Sequence, residues 1–118
     1  MKTFKDIIAW QKGYRLTLIV YKLTSAFPKC EEFGLKSQLR RAGVSIISNI
    51  AEGFKRRSTK DSLRFFNQSE SSLEEVKCQT MLAHDLGYLN KKNYKELYDL
   101  EEETGKVLFG WIQSQKIG

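Results

Sequence analysis

The chain has 118 residues, 41% of them apolar and 12% aromatic, with 20 Lys and Arg against 14 Asp and Glu and a formal net charge of +6. That length holds one domain, residues 1–118, with a real core and excludes two. Mixed charges at this aromatic content exclude a disordered chain, and the apolar run Ile7 to Trp10, cut by Gln11 and Lys12, is too short for a signal peptide or a membrane span. A cytoplasmic protein of bacterial type is expected.

The first predicted helix runs from about Lys5 to Ser25. Phe4, Ile7, Gln11, Tyr14, Leu18 and Tyr21 recur at heptad-like spacing, and Ile8, Leu16, Ile19 and Leu23 widen that face. Pro28, the only proline, disfavours helix at Phe27 and opens a connector to Gly34. The second helix, about Leu35 to Lys55, sets Leu39, Ala42, Ile46, Ile50 and Phe54 along a core face. Gly43 inside it costs roughly 1 kcal/mol against alanine, tolerable where a neighbouring backbone packs close.

The third helix opens on Ser58-Thr59-Lys60-Asp61, where a serine hydroxyl can accept from the first free amides and Asp61 favours the positive helix end. Leu63, Phe66, Leu73, Val76, Ala83 and Leu86 keep a helical period up to Gly87, a natural left-handed terminator before Tyr88 and Leu89. The fourth starts near Asn90 and buries Leu97, Leu100, Thr104, Val107, Leu108, Trp111 and Ile112, with Gly105 and Gly110 weakening it. No alternating β-branched run competes. Four amphipathic helices on short connectors predict an all-α, antiparallel up-down-up-down four-helix bundle, in which the second and third helices are neighbours.

The second helix carries another stripe beside its core face: Gln38, Arg41, Ser45, Asn49, Glu52 and Arg56. Solvated helix surfaces favour Glu and Lys over Ser and Asn, so something is expected to meet this stripe. The third helix offers Ser72, Glu75 and Gln79 on one face, with Ser69 and Ser71 nearby, and its acid could reach Arg41 or Asn49. Three readings stand: an internal hydrogen-bond network that fixes helix register, an interface between copies of the chain, or a catalytic or metal-binding pair made by Glu52 and Glu75.

Charge is uneven along the chain. Six basic residues against one acid give +5 over residues 1–29, six against three give +3 over 30–57, three against five give −2 over 58–89, and the remainder is neutral. A basic first half suits an acidic partner such as RNA or DNA, or a protein surface; it also suits a protein whose lysines keep it soluble. An enzyme is not expected. A di-iron bundle needs two Glu-x-x-His pairs and His84 is the only histidine; Asp85 beside it points elsewhere on a helix. No nucleophile elbow, Walker loop or dinucleotide fingerprint occurs, so no catalytic residue, metal site, cofactor or small-molecule substrate is assigned. Cys30 and Cys78 are expected as free thiols. Trp10, Tyr14, Phe65, Phe66, Tyr94, Tyr98 and Trp111 could stack bases, but at helical spacing aromatics belong more often to a core.

The run from Gln38 to Gly53, QLRRAGVSIISNIAEG, followed by Lys55-Arg56-Arg57, resembles the signature of small four-helix-bundle proteins encoded in intervening sequences of bacterial 23S ribosomal RNA genes. Phe4, Trp10-Gln11-Lys12, Tyr21, Thr24, Phe27-Pro28, Glu32-Phe33-Gly34-Leu35, Ser72-Leu73, Glu75 and Leu86-Gly87-Tyr88-Leu89 fall in the family's order and spacing, so the resemblance spans nearly the whole chain. It departs at Ile47, where the family often has proline, and at Ser71, where it often has glycine. The resemblance implies no activity. Similar proteins include the accessory variability protein of diversity-generating retroelements, a pentameric barrel with a basic surface that works with reverse transcriptase and nucleic acid. By that resemblance this chain is a homo-oligomer, a pentamer, whose polar stripes seal subunits together, and Lys36, Arg40, Lys55, Arg56, Arg57, Lys60 and Arg64 are its candidates for phosphate contacts. Such contacts give salt-dependent affinity with little sequence preference.

Overall fold

The computed structural model describes residues 1–117. The chain enters through a capping box: Thr3 Oγ1 accepts from the Lys5 amide at 3.1 Å, and the Asp6 carboxylate accepts from the Thr3 and Lys2 amides at 3.1 and 2.9 Å. Those two backbone bonds hold the Asp6 carboxyl below its ordinary pKa. Asp6 closes a 3-10 turn, Phe4–Asp6, and an extended Ile7, fully buried, separates it from α1, Ile8–Thr24. The helix therefore begins three residues later than its periodicity suggests.

The face of α1 is also rotated from the expected one. Ala9, Gly13, Leu16, Thr17, Val20 and Thr24 are buried, whereas Tyr14, Leu18 and Tyr21 are 44%, 56% and 40% exposed and Gln11 lies in solvent. Small residues win because the helix packs through close contact. Thr17 Oγ1 donates to the carbonyls of Gly13 at 2.8 Å and Gly43 at 3.0 Å, across to α2. A Cβ on Gly43 would stand 3.3 Å from the Thr17 side chain, so this glycine marks the crossing of the two helices.

After Pro28 a short turn, Lys29–Glu31, leads to α2, Leu35–Phe54. Gly34 has no side chain to cap that helix, and Glu31 does it instead, its Oε1 accepting from the Leu35 amide at 2.9 Å. The other Glu31 oxygen accepts from the Tyr88 hydroxyl at 3.0 Å, tying this connector to the one beyond α3. Helix α3, Thr59–Asp85, starts on Ser58, whose Oγ accepts from the Asp61 amide at 3.1 Å. It ends where Gly87, at φ +85°, lets the Gly87 and Tyr88 amides return to the His84 and Ala83 carbonyls. Asn90 Oδ1 then accepts from the Asn93 amide at 2.7 Å, and α4 runs Lys91–Ile117.

Each helix packs on the next, and α4 returns to α1, giving a four-helix bundle of 45 × 25 × 21 Å. The core is built from Ile7, Leu16, Leu39, Ile46, Ile50, Phe66, Leu73, Val76, Leu97 and Leu108. Of the aromatics, Phe66 is fully buried, and Trp10, Tyr94 and Trp111 pack against the core from its edge. Leu86, expected on the core face of α3, is 51% exposed because the helix terminates beneath it.

Candidate nucleic-acid interface

The α2–α3 seam accounts for most of the polar stripe. Ser45 Oγ and Ser72 Oγ share a 2.7 Å hydrogen bond, Asn49 Nδ2 donates to the Ser45 carbonyl at 2.8 Å and to its Oγ at 3.0 Å, and Ser69 Oγ donates to the Ile46 carbonyl at 2.7 Å. A serine hydroxyl reaches a neighbouring helix's backbone only when the two axes lie close, so the small side chains set that distance. At the far end of the seam Gln79 Nε2 reaches Gln38 Oε1 at 3.5 Å. The network lies within one chain.

The longer members of the stripe stay outside. Glu75 and Arg41 are exposed, and among the described residues neither has an ion-pair partner. The anticipated contact of Glu75 with Arg41 or Asn49 is absent, because a seam closed by serine hydroxyls has no room for a glutamate. Glu52 pairs with Arg56, just past the end of α2, at 2.9 Å. Glu52 and Glu75 are not brought together in any group that could hold a metal ion among the described residues.

Helix α2 divides the seven basic candidates into two groups. Lys36 and Lys55 are separated by nineteen residues of helix, about 28 Å at 1.5 Å each. Lys36 is spent on Glu32 at 3.0 Å. Arg40 is spent on α1: Nε donates to Thr24 Oγ1 at 2.9 Å, an Nη donates to the Tyr21 carbonyl at 3.0 Å, and the guanidinium lies over the Tyr21 ring at 4.5 Å. Both act in the fold, joining the start of α2 to its surroundings.

The other five gather where α2 gives way to α3. Lys55, Arg56 and Arg57 form the corner, and Lys60 and Arg64 follow in the first turns of α3. The up-down-up-down path brings Lys2, Lys5 and Lys116 to this same pole, where the acids are Asp6, Glu52 and Asp61. Lys55, Arg57 and Lys60 are exposed and carry no ion pair among the described residues. Arg56 and Arg64 are held: Arg56 by Glu52, Arg64 by Asp61 at 2.9 Å, and both by the half-buried Phe65, whose ring centroid is 4.3 and 4.9 Å from the two guanidinium carbons. A groove of about 240 Å³ lies beside them, floored by Phe66 and Trp111 and bordered by Arg56, Arg57, Ser58 and Ser62. Cationic side chains and the positive end of α3 thus share this pole.

A family model described as 23S rRNA-intervening sequence protein matches residues 5–110. The chain belongs to that family. A solved member of the S23 ribosomal protein family, a protein with unknown function from Bacteroides thetaiotaomicron VPI-5482, has the same fold. The TM-score is 0.82 at 24% identity, over 92% of this chain and 98% of that one. No curated protein matches the chain. The 23S rRNA-intervening sequence family thus supplies a fold and a lineage. Among the described residues no helix is long and apolar enough to cross a membrane.

One buried group has no counterpart in the sequence-based expectations. Glu101 on α4 is 2% exposed and accepts a 2.6 Å hydrogen bond from Thr80 Oγ1 on α3. Burial raises its pKa to about 7 against the help of Thr80 and Lys77. Burial also works against the charge of Lys77, but Glu74 at 3.2 Å and Glu102 at 3.4 Å outweigh it and raise the lysine's pKa. The signal was present in position: Glu101 falls four residues after Leu97 and three before Thr104, inside the buried stripe of α4.

Proposed function

We propose that this protein is a non-enzymatic homo-oligomer, a pentamer by its family resemblance, that associates with RNA or DNA through the basic pole formed by Lys55, Arg56, Arg57, Lys60 and Arg64. The observation that carries this is the convergence of five cations at one corner, three of them free of carboxylates, in a family tied to 23S ribosomal RNA genes. Lys36 and Arg40 are left out of the surface, since α2 carries them to the opposite pole, where they bind Glu32 and α1. Phosphate neutralisation by this corner gives binding that weakens steeply with salt. Titrating a structured RNA at several salt concentrations tests it, and an absence of binding even at low salt removes it.

The self-association belongs to the face that α1 turns outward. Tyr14, Leu18 and Tyr21 form there an exposed apolar strip of the kind that marks a protein contact, and Val44 of α2 is 39% exposed. That strip also favours a second reading, a scaffolding module that binds protein and no nucleic acid. Capture of one protein partner that survives nuclease treatment, together with no RNA binding, supports the second reading over the first.

A further inference from the structure

We infer that Phe65, Arg56 and Arg64 form a stacking shelf for an unpaired nucleobase, so that the basic pole selects single-stranded over duplex nucleic acid; this rests on the nucleic-acid reading above. Phe65 directly precedes Phe66, which fills the core at 1% exposure, and one residue's turn of the helix keeps Phe65 out of that core. It is instead covered by two cations: the Arg56 and Arg64 guanidinium carbons lie 4.3 and 4.9 Å from its ring centroid. Two positive groups over one ring repel each other, and each is offset by a carboxylate, Glu52 for Arg56 and Asp61 for Arg64, at 2.9 Å.

This arrangement makes poor phosphate clamps and good platforms. Each arginine already spends N–H donors on an acid, so the attraction left for a phosphate is smaller than at Lys55, Arg57 or Lys60. Each guanidinium carbon lies over the Phe65 ring, and the side chains keep 39% and 71% of their surface in solvent. A flat cation with one face on an aromatic ring has a second face to offer, and nucleobases stack on arginine planes when they are free of a helix. Bases inside a duplex cannot reach such a shelf. The free lysines and Arg57 would hold the backbone while the shelf takes a base.

The test compares a short single-stranded RNA with the same RNA annealed to its complement, by fluorescence anisotropy at one salt concentration and then across a salt series. The unaltered protein is expected to favour the single strand by roughly tenfold, the scale of one base stacked on an aromatic platform. Phe65→Leu keeps an apolar side chain but removes the ring, and Arg56→Lys keeps the charge and the alkyl stem but removes the plane. Both should cancel the preference while leaving the salt slope unchanged, with unchanged circular dichroism as the control for folding. Equal affinity for the two RNAs, or a preference that survives both substitutions, overturns the shelf and leaves the basic pole standing. If neither RNA binds at low salt, the nucleic-acid reading falls and takes the shelf with it.

Discussion

Thr80 donates a 2.6 Å hydrogen bond to Glu101, a carboxyl that α4 places inside the protein against α3. A pKa raised from 4.5 to about 7 means that the native state holds a proton which the unfolded chain releases. The native state therefore binds more protons between those two values, and Glu101's contribution to stability is full below about pH 4.5 and lost as pH rises through about 7. That difference corresponds to roughly 3 kcal/mol. Glu101→Gln keeps an acceptor for Thr80 and has no charge to bury. Its urea midpoint at pH 8 should exceed that of the parent, and the two should converge near pH 4.5; a variant less stable at pH 8 would contradict this account.

Ser72 tests what the polar stripe does. Its hydroxyl is buried and pairs with Ser45 across the α2–α3 seam. Ser72→Val removes that partner and adds volume where the helices lie close, so it should cost about 1 to 3 kcal/mol of folding stability. Because the network is internal to one chain, sedimentation of the folded fraction should show an unaltered assembly. Dissociation without loss of stability would return the stripe to the interface between copies.

Helix positions and ends were largely legible, because they rest on local chemistry. Ser58, Asn90, Gly87 and Pro28 each act through their own backbone or side chain, and the structure uses Ser58 and Asn90 as N-caps and Gly87 at positive φ. The rotation of α1 was not legible. Tyr14, Leu18 and Tyr21 outweigh Ala9, Gly13 and Thr17 on any scale of apolar character, yet the Thr17–Gly43 contact selects the small residues. In the candidate site, the run from Lys55 to Arg64 was visible because the chain keeps it together. Lys36 and Arg40 joined it through the family resemblance, and their separation follows once α2 is counted out as continuous helix. Glu101 was missed because a single acid in an apolar stripe has no period of its own.

Gly53 shows how tightly the basic corner is seated on the core. A Cβ there would fall 2.5 Å from Cε1 of Phe66, a ring with 1% exposure that also meets Trp111 edge-on at 5.6 Å. Gly53→Ala gains about 1 kcal/mol in helix propensity, but the Phe66 ring would have to leave its contact with Trp111 to admit the methyl. Overpacking should prevail, for a net loss of about 2 kcal/mol in urea denaturation. A neutral or stabilised variant would show that Phe66 has room to move.

Salt dependence should separate the free cations from the held ones. Lys55, Arg57 and Lys60 have no acid partner among the described residues, whereas Lys36 and Arg40 are committed to Glu32 and to α1. Replacing the first three with alanine should lower the slope of log affinity against log salt by about 2 to 3 for duplex or single-stranded RNA. Lys36→Ala should leave the slope where it was. A slope that responds to Lys36 as strongly as to Arg57 would move the contact surface to the opposite end of α2.

The outward face of α1 makes the last prediction. Leu18 is 56% exposed and Val44 39%, so each presents apolar surface to water. An aspartate at either position costs little in a monomer, where the side chain already meets water, but it would bury a charge at a seam between copies, at a cost of several kcal/mol. Leu18→Asp and Val44→Asp should therefore lower the sedimenting mass at high salt, where nucleic acid is removed, while each subunit keeps its helical circular dichroism. If the mass is unchanged in both variants, copies of this chain do not meet through α1 and α2, and the apolar strip is left for a different protein.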